Sequence, residues 1–363
     1  SMIQLHKVYK EADQHFFQSW LRGQYADTIR AGSAGSANED FEKIGTRFHA
    51  WFRDRLELMG LQNKDSNGFK EFVTVKLKFF LKAYLTIRAA EETWNDELPH
   101  VFYIRRWGIA DSLSYPLMLA PLTLDDTEDE VLEKINLVAR YIETFAVRRA
   151  VNFRKFGASS IRYTMSILVK EIRGKSIDDL KAIFAQKLND MAESWDGLPE
   201  FYLHGQNRKF IKYLLSRISG YIDEQSGQST NFISYHEGNG KPFEIEHIWA
   251  DKFDRHQDDF DQLHDFHITR NNIGGLVLLP RGTNQSYNDK EYSEKQPHYV
   301  KENLLVQSLC EKAYENNPNF VNMASRLELP FQAHPEFKKE DIHQRHKLYQ
   351  AICEQIWSFP EQE

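Results

Sequence analysis

The chain has 363 residues, 41% of them hydrophobic and 27% charged, with a formal net charge of -7. That length can hold two or three domains with substantial cores, and the composition is ordinary for a globular protein. The acidic balance excludes strong nonspecific binding of DNA by the whole surface, so any nucleic-acid contact has to be a local patch. The longest apolar-looking stretch, Phe72 to Ile87, is interrupted by Lys76, Lys78 and Lys82, and no basic start precedes a short apolar run. Neither a membrane span nor a signal peptide is therefore expected, and the chain reads as cytoplasmic. Two distant cysteines, Cys310 and Cys353, fit reduced thiols and exclude a four-cysteine zinc ribbon.

Taken in order, the first 225 residues read as an all-helical domain. Lys7 to Gln24 carries Phe16, Phe17, Trp20 and Leu21 at helical spacing, and Ala31 to Asn38 is a Gly, Ser and Ala loop. Phe41 to Met59 and Phe69 to Glu91 follow as amphipathic helices. Asp129 to Phe153 is the longest, with Val131, Ile135, Val138, Ile142, Phe145 and Ala146 along one side and acids at its start. Ser160 to Arg173, Ser176 to Ala192 and Arg208 to Asp223 complete the bundle. Aromatic residues such as Phe79, Phe80 and Tyr84 belong to its core. The stretch 226–242, rich in Gly, Ser, Gln and Asn, reads as a linker, residues 243–295 as a small separate core, and residues 296–363 as C-terminal helices packing on it. Those helices are expected at His298 to Gln307, near Val321 to Leu327, and at Lys338 to Trp357.

The central core carries the chemistry. Phe243 to His247 alternates, with Phe243, Ile245 and the aliphatic part of His247 on one side and Glu244 and Glu246 on the other, as a half-buried strand does. Ile273 to Leu279 is an apolar strand ending at the turn signal Pro280-Arg281-Gly282, after which Thr283 can cap a helix. Strand, strand, helix is the predicted order. Hydrolysis of a phosphodiester needs a base near neutral pH, which histidine supplies, and a hard cation held by oxygen ligands. Adjacent strand residues face opposite ways, so Glu246 and His247 cannot both enter one site from a regular strand. Asn284 and Asn288, four apart, share one helix face.

Glu244-Ile245-Glu246-His247-Ile248, followed by Ile273-Gly274-Gly275-Leu276-Val277-Leu278-Leu279-Pro280 and then Asn284, resembles the HNH, or beta-beta-alpha-metal, endonucleases. The wording is similar to that of the C-terminal nuclease region of GmrSD-type modification-dependent restriction proteins, a group that includes the SspE-like proteins. The resemblance implies a mainly α protein, in which a helical bundle precedes a small beta-beta-alpha-metal nuclease unit with C-terminal helices. It implies His247 as general base, Glu246 as a metal-side acid, and Asn284 or Asn288 as the helix asparagine, with Mg2+ or Mn2+ as cofactor. Gly275 stands where the family usually has Asn, so the group that orients the histidine is replaced; Asn271 and Asn272 are the candidate substitutes.

The implied activity is nicking of DNA, as substrate modified phage DNA, in an antiviral restriction system. The alternative is a catalytically inactive fold that binds DNA or regulates. Tyr141 to Asn152 is similar to the helical region that precedes the nuclease in that family. The family's N-terminal nucleotide-dependent module, with its Asp-Gly-Gln-Gln-Arg signature, is absent, so this chain is expected to be the C-terminal part of a longer protein with that module as its partner. Residues 241–300 hold seven Lys and Arg against eleven Asp and Glu. DNA contact is assigned to Arg281, Arg270 and Lys290, with Arg105-Arg106, Arg148-Arg149 with Arg154-Lys155, and Arg208-Lys209 with Lys212 as further basic groups whose bland reading is a solvated helix face. His256, His264 and His267, set among aspartates and lacking cysteine partners, read as a solvated loop and not as a zinc site.

Overall fold

The computed structural model describes residues 11–31, 35–62, 66–109, 111–155, 158–229, 231–238, 240, 242–287, 289–315 and 317–359. Backbone contacts divide the chain into two units: Ser1–Ala150 with Arg154–Met191 and Phe359–Glu363, and Val151–Phe153 with Ala192–Ser358. The composition break at 226–242 falls inside the second unit, because the helix before it packs on elements that follow it.

The first unit is helical: α1 (Ala12–Tyr25), α2 (Asp40–Asp54), α3 (Ser66–Glu71), α4 (Leu77–Glu92), α5 (Pro99–Trp107), α6 (Asp111–Leu119), α7 (Glu128–Val151), α8 (Ala158–Ile172) and α9 (Ile177–Asn189). The aromatic stripe of α1 is core, as its spacing predicts. Trp20 is fully buried and stacks on Phe16 at 5.6 Å and on Phe80 of α4 at 5.5 Å. Close approach of α1 to α6 depends on Gly23, where a Cβ would stand 2.8 Å from the Pro116 carbonyl oxygen. The predicted helix 41–59 is broken: Arg47 leaves helical dihedrals, α2 stops at Asp54, and a 3-10 turn covers Leu56–Met59.

The sequence reading passed over α5 and α6, although Pro99 at the first turn and the left-handed Gly108 after the last are helix boundary signals. Two of the basic groups have structural work. The Arg106 guanidinium lies 3.5 Å over the Phe102 ring and donates to the Glu91 carbonyl. Arg148 donates to the Leu188 carbonyl at 2.7 Å, and Arg149 to that of Lys155. No helix among the described residues is long and apolar enough to cross a membrane.

The second unit holds α10 (Arg208–Gln225), α11 (Phe232–His236), β1 (Phe243–His247), α12 (Leu263–Arg270), β2 (Leu276–Pro280), α13 (Arg281–Tyr287), α14 (Tyr292–Tyr299), α15 (Leu304–Gln307), α16 (Lys312–Glu315), α17 (Pro318–Arg326) and α18 (Lys339–Ile356). β1 and β2 pair antiparallel with Phe243 opposite Pro280, Ile245 opposite Leu278 and His247 opposite Leu276. Leu276 to Leu279 are fully buried, since α10, α13 and α15 pack on β2 and α18 packs on residues 273–275 just before it. The outer carbonyls of β2 are met by side chains: Tyr349 donates to Leu276 and Asn303 to Leu278, each at 2.8 Å. Burial without such donors would cost a hydrogen bond apiece.

Several boundaries shift. Ile273–Gly275 forms a 3-10 turn, not strand, because the Asn272 side chain accepts from the Gly274 amide at 3.0 Å. The helix after β2 begins at Arg281, whose amide donates to the Pro242 carbonyl at 2.9 Å, so Thr283 is not its cap. The expected helix 298–307 is two helices: a capping box at Glu291 and Glu294 starts α14 ahead of Pro297, and Asn303 caps a new start at α15. The loop expected around His256, His264 and His267 contains α12, anchored by buried Phe266. His256 is half-buried, 4.2 Å from the Trp249 ring and 5.2 Å from Phe266, whereas His264 is exposed and His267 half-buried.

Candidate active site

His247 ends β1, and the next residue, Ile248, still donates its amide to the Gly275 carbonyl at 3.0 Å. The ring is held from the opposite segment: His247 Nε2 lies 2.8 Å from Asn271 Oδ1. Asn271 sits just past α12 and is itself fixed twice. Its carbonyl accepts from the Leu203 amide at 2.8 Å, and its Nδ2 donates to the His267 carbonyl at 2.8 Å. With Nδ2 committed as donor, Oδ1 is the acceptor, so the ring proton resides on Nε2 and the lone pair on Nδ1. Burial, and then the positive charge of Arg270, hold the His247 pKa down to about 4. The imidazole is consequently neutral at physiological pH.

Of the two asparagines proposed to replace the residue missing at Gly275, Asn271 is the one that reaches the histidine. Asn272 is engaged elsewhere, its Nδ2 donating to the Pro199 carbonyl at 2.6 Å. Gly275 is tight in its own right, for a Cβ there would lie 3.1 Å from the Arg270 carbonyl oxygen. An asparagine at 275 would press on backbone while its task is already done.

Glu246 faces away from His247, as strand alternation requires. Its carboxylate is buried and meets Lys295 Nζ at 2.7 Å. Burial pushes this carboxyl above its ordinary range, and the Lys295 ammonium opposes that rise. Asn284, on α13, lies against the middle of β1 with Nδ2 donating to the Ile245 carbonyl at 3.4 Å, and among the described residues its Oδ1 makes no hydrogen bond. Asn288 lies outside the described residues.

The basic residues differ in their freedom. Arg281 is exposed and 3.5 Å from Glu244. Arg270 is half-buried and donates from Nε to the Trp249 carbonyl at 3.2 Å. Lys290 stands 5.6 Å over the Tyr287 ring. Arg208, at the start of α10, is exposed and contributes positive potential at His247.

The donors suit a divalent cation only in part. Asn284 fits, its amide oxygen making no hydrogen bond among the described residues, but Glu246 does not, because its carboxylate is buried and its Oε1 is paired with the Lys295 ammonium at 2.7 Å. No group of three His, Cys, Asp or Glu side chains able to hold a metal occurs among the described residues. Sequence reading missed Lys295, which sits in the polar string Tyr292-Ser293-Glu294-Lys295-Gln296 with no periodic signal to mark it as buried.

Residues 181–352 match the family described as GmrSD restriction endonucleases, C-terminal domain. No curated protein and no solved structure matches the chain. Over residues 181–352, therefore, the chain is similar to the C-terminal domain of the GmrSD restriction endonucleases.

Proposed function

We propose that this region is a DNA endonuclease of the HNH type that nicks one strand, with modified phage DNA as substrate, in an antiviral restriction system. The observation that carries the reading is His247, neutral, with Nε2–H tied to Asn271 and its Nδ1 lone pair available. Nδ1 takes a proton from water as the water attacks phosphorus in line, and Asn271 keeps the ring in the tautomer that leaves this nitrogen basic. Arg281, Arg270 and Lys290 supply positive charge for the phosphates, Arg281 having the greatest reach because it is exposed. Asn284 would hold Mg2+ or Mn2+ through Oδ1, and such an ion neutralises charge on the scissile phosphate and leaving oxygen. A nucleotide-dependent module of the kind found in that family is the proposed partner. The inactive DNA-binding alternative draws on one observation, the capture of Glu246 by Lys295.

Conversion of supercoiled plasmid to open circle, across a series of Mg2+, Mn2+ and chelator, tests the reading. Retardation of DNA without any nicking, unaffected by chelator, would favour the binding module. Asn271→Ala should reduce nicking by about tenfold to a hundredfold, the usual cost of misplacing a catalytic group. Asn271→Asp should move the acid limb of the pH profile upward, because a carboxylate beside His247 favours its charged form. An unmoved limb would detach Asn271 from the histidine's chemistry.

Asn284→Ala should raise the metal concentration needed for half-maximal nicking. Its single long hydrogen bond is worth only about 1 kcal/mol, so the melting temperature should fall by no more than a few degrees. Unchanged metal dependence would pass the role to Asn288 or another group.

A further inference from the structure

Lys295 is among the most buried charged side chains in the second unit, its side chain 1% exposed and that of its partner Glu246 8% exposed. An ammonium has three protons, and each finds an acceptor: Glu246 Oε1 at 2.7 Å, the His247 carbonyl at 3.0 Å and the Ile248 carbonyl at 3.3 Å. The two carbonyls follow one another where β1 gives out, and fully buried Ile248 has no water to turn to. A side chain on α14 thus secures the backbone on which the His247 ring is mounted.

We propose that Glu246 is the counterion of Lys295 and not a metal ligand, and that the pair is a positioning device fixing the end of β1 that presents His247. The assignment of His247 as base rests on the nuclease reading above, whereas the pairing of Glu246 with Lys295 does not. Strand alternation makes the division natural: one face of β1 carries the base, and the preceding residue anchors the strand from behind. A buried ammonium without its carboxylate, or the reverse, is strongly unfavourable, so the two side chains should behave as one energetic unit.

The test compares Lys295→Met, Glu246→Gln and the double variant in thermal unfolding and in Mn2+ binding by calorimetry, both without DNA. Lys295→Met should lower the melting temperature by roughly 10 °C, since it strands a buried carboxylate. The double variant should melt well above the sum of the two single losses. Strictly additive losses would overturn the pairing. Glu246→Gln should leave Mn2+ affinity at the wild-type value; loss of that affinity with an unchanged melting temperature would return Glu246 to the metal.

The positioning role has its own readout. The double variant, although its stability recovers, still lacks the donor to the His247 carbonyl. Its kcat should fall about tenfold at constant KM, consistent with a displaced catalytic group. Full kcat there would reduce the pair to a stability element. A wild-type protein with no nicking activity would sink the nuclease reading alone, because unfolding and Mn2+ binding would still decide the pairing.

Discussion

Replacing His247 by Ala is expected to lower plasmid nicking by about a thousandfold, within the range a general base contributes, while the protein remains folded. The ring is half-buried, and among the described residues its side-chain hydrogen-bond partner is Asn271, so its removal costs a single hydrogen bond and little core. Nicking within tenfold of wild type would remove this imidazole from the mechanism. The pH profile sharpens the test. In the free protein, burial and the Arg270 charge hold the ring at about 4, so kcat/KM should keep its plateau down to mildly acidic pH. A bound DNA phosphate brings negative charge toward the ring and raises its pKa, so the limb on kcat should lie at higher pH than the limb on kcat/KM.

Stability carries the same signature with a definite sign. The unfolded ring titrates near the ordinary histidine value of 6.5 and the folded one at about 4, so between those values the unfolded chain binds more protons. The contribution of neutral His247 is present above pH 6.5 and is lost as pH falls through the window to 4. His247→Ala should flatten that part of the curve of stability against pH, and an identical slope in both proteins would contradict the lowered pKa.

Gly274→Ala should be the most disruptive of the small substitutions near the site. A Cβ at 274 would stand 2.2 Å from the Ile342 carbonyl oxygen and 2.7 Å from the His346 amide nitrogen, both backbone atoms of α18. No rotamer change can relieve such a contact, so the helix or the 3-10 turn has to move. Overpacking against backbone costs about 3 kcal/mol, which for a unit of this size corresponds to roughly 6–12 °C in melting temperature. The same change at Gly275 meets the Arg270 carbonyl oxygen at 3.1 Å and should cost about 1 kcal/mol or less. Thermal unfolding followed by circular dichroism separates the two. Equal melting temperatures for Gly274→Ala and wild type would mean that the turn does not seat on α18 as described. Because this turn precedes β2, the expected loss would also reach the strand that pairs with His247.

Helices α1, α4, α7, α8, α9, α10 and α18 were legible because their apolar residues recur at the helical period and their ends carry ordinary signals. The short helices were not: α5 and α6 lie in a stretch read only for its arginines, and α12 hides among aspartates whose charge suggested a solvated loop. Around the site, Phe243 to His247 could be read as strand from alternation, and the apolar run into Pro280 as its companion. Asn271 could be named as a substitute for the residue missing at 275, but local pattern could not choose between it and Asn272. That choice was made by hydrogen bonds to residues 199–203, some seventy positions away.

What the amino-acid order settled unaided is therefore the helical class, the strand, strand and helix succession, and the histidine placed at a strand's end. Period and turn chemistry are local properties, carried by neighbours along the chain. Tertiary structure alone decided that Asn271 holds His247 and that Lys295 takes Glu246, partners 24 and 49 residues apart. Alternation along β1 sends successive side chains to opposite faces, but what covers each face is fixed by the long-range packing of α12 and α14, which no short window of residues encodes.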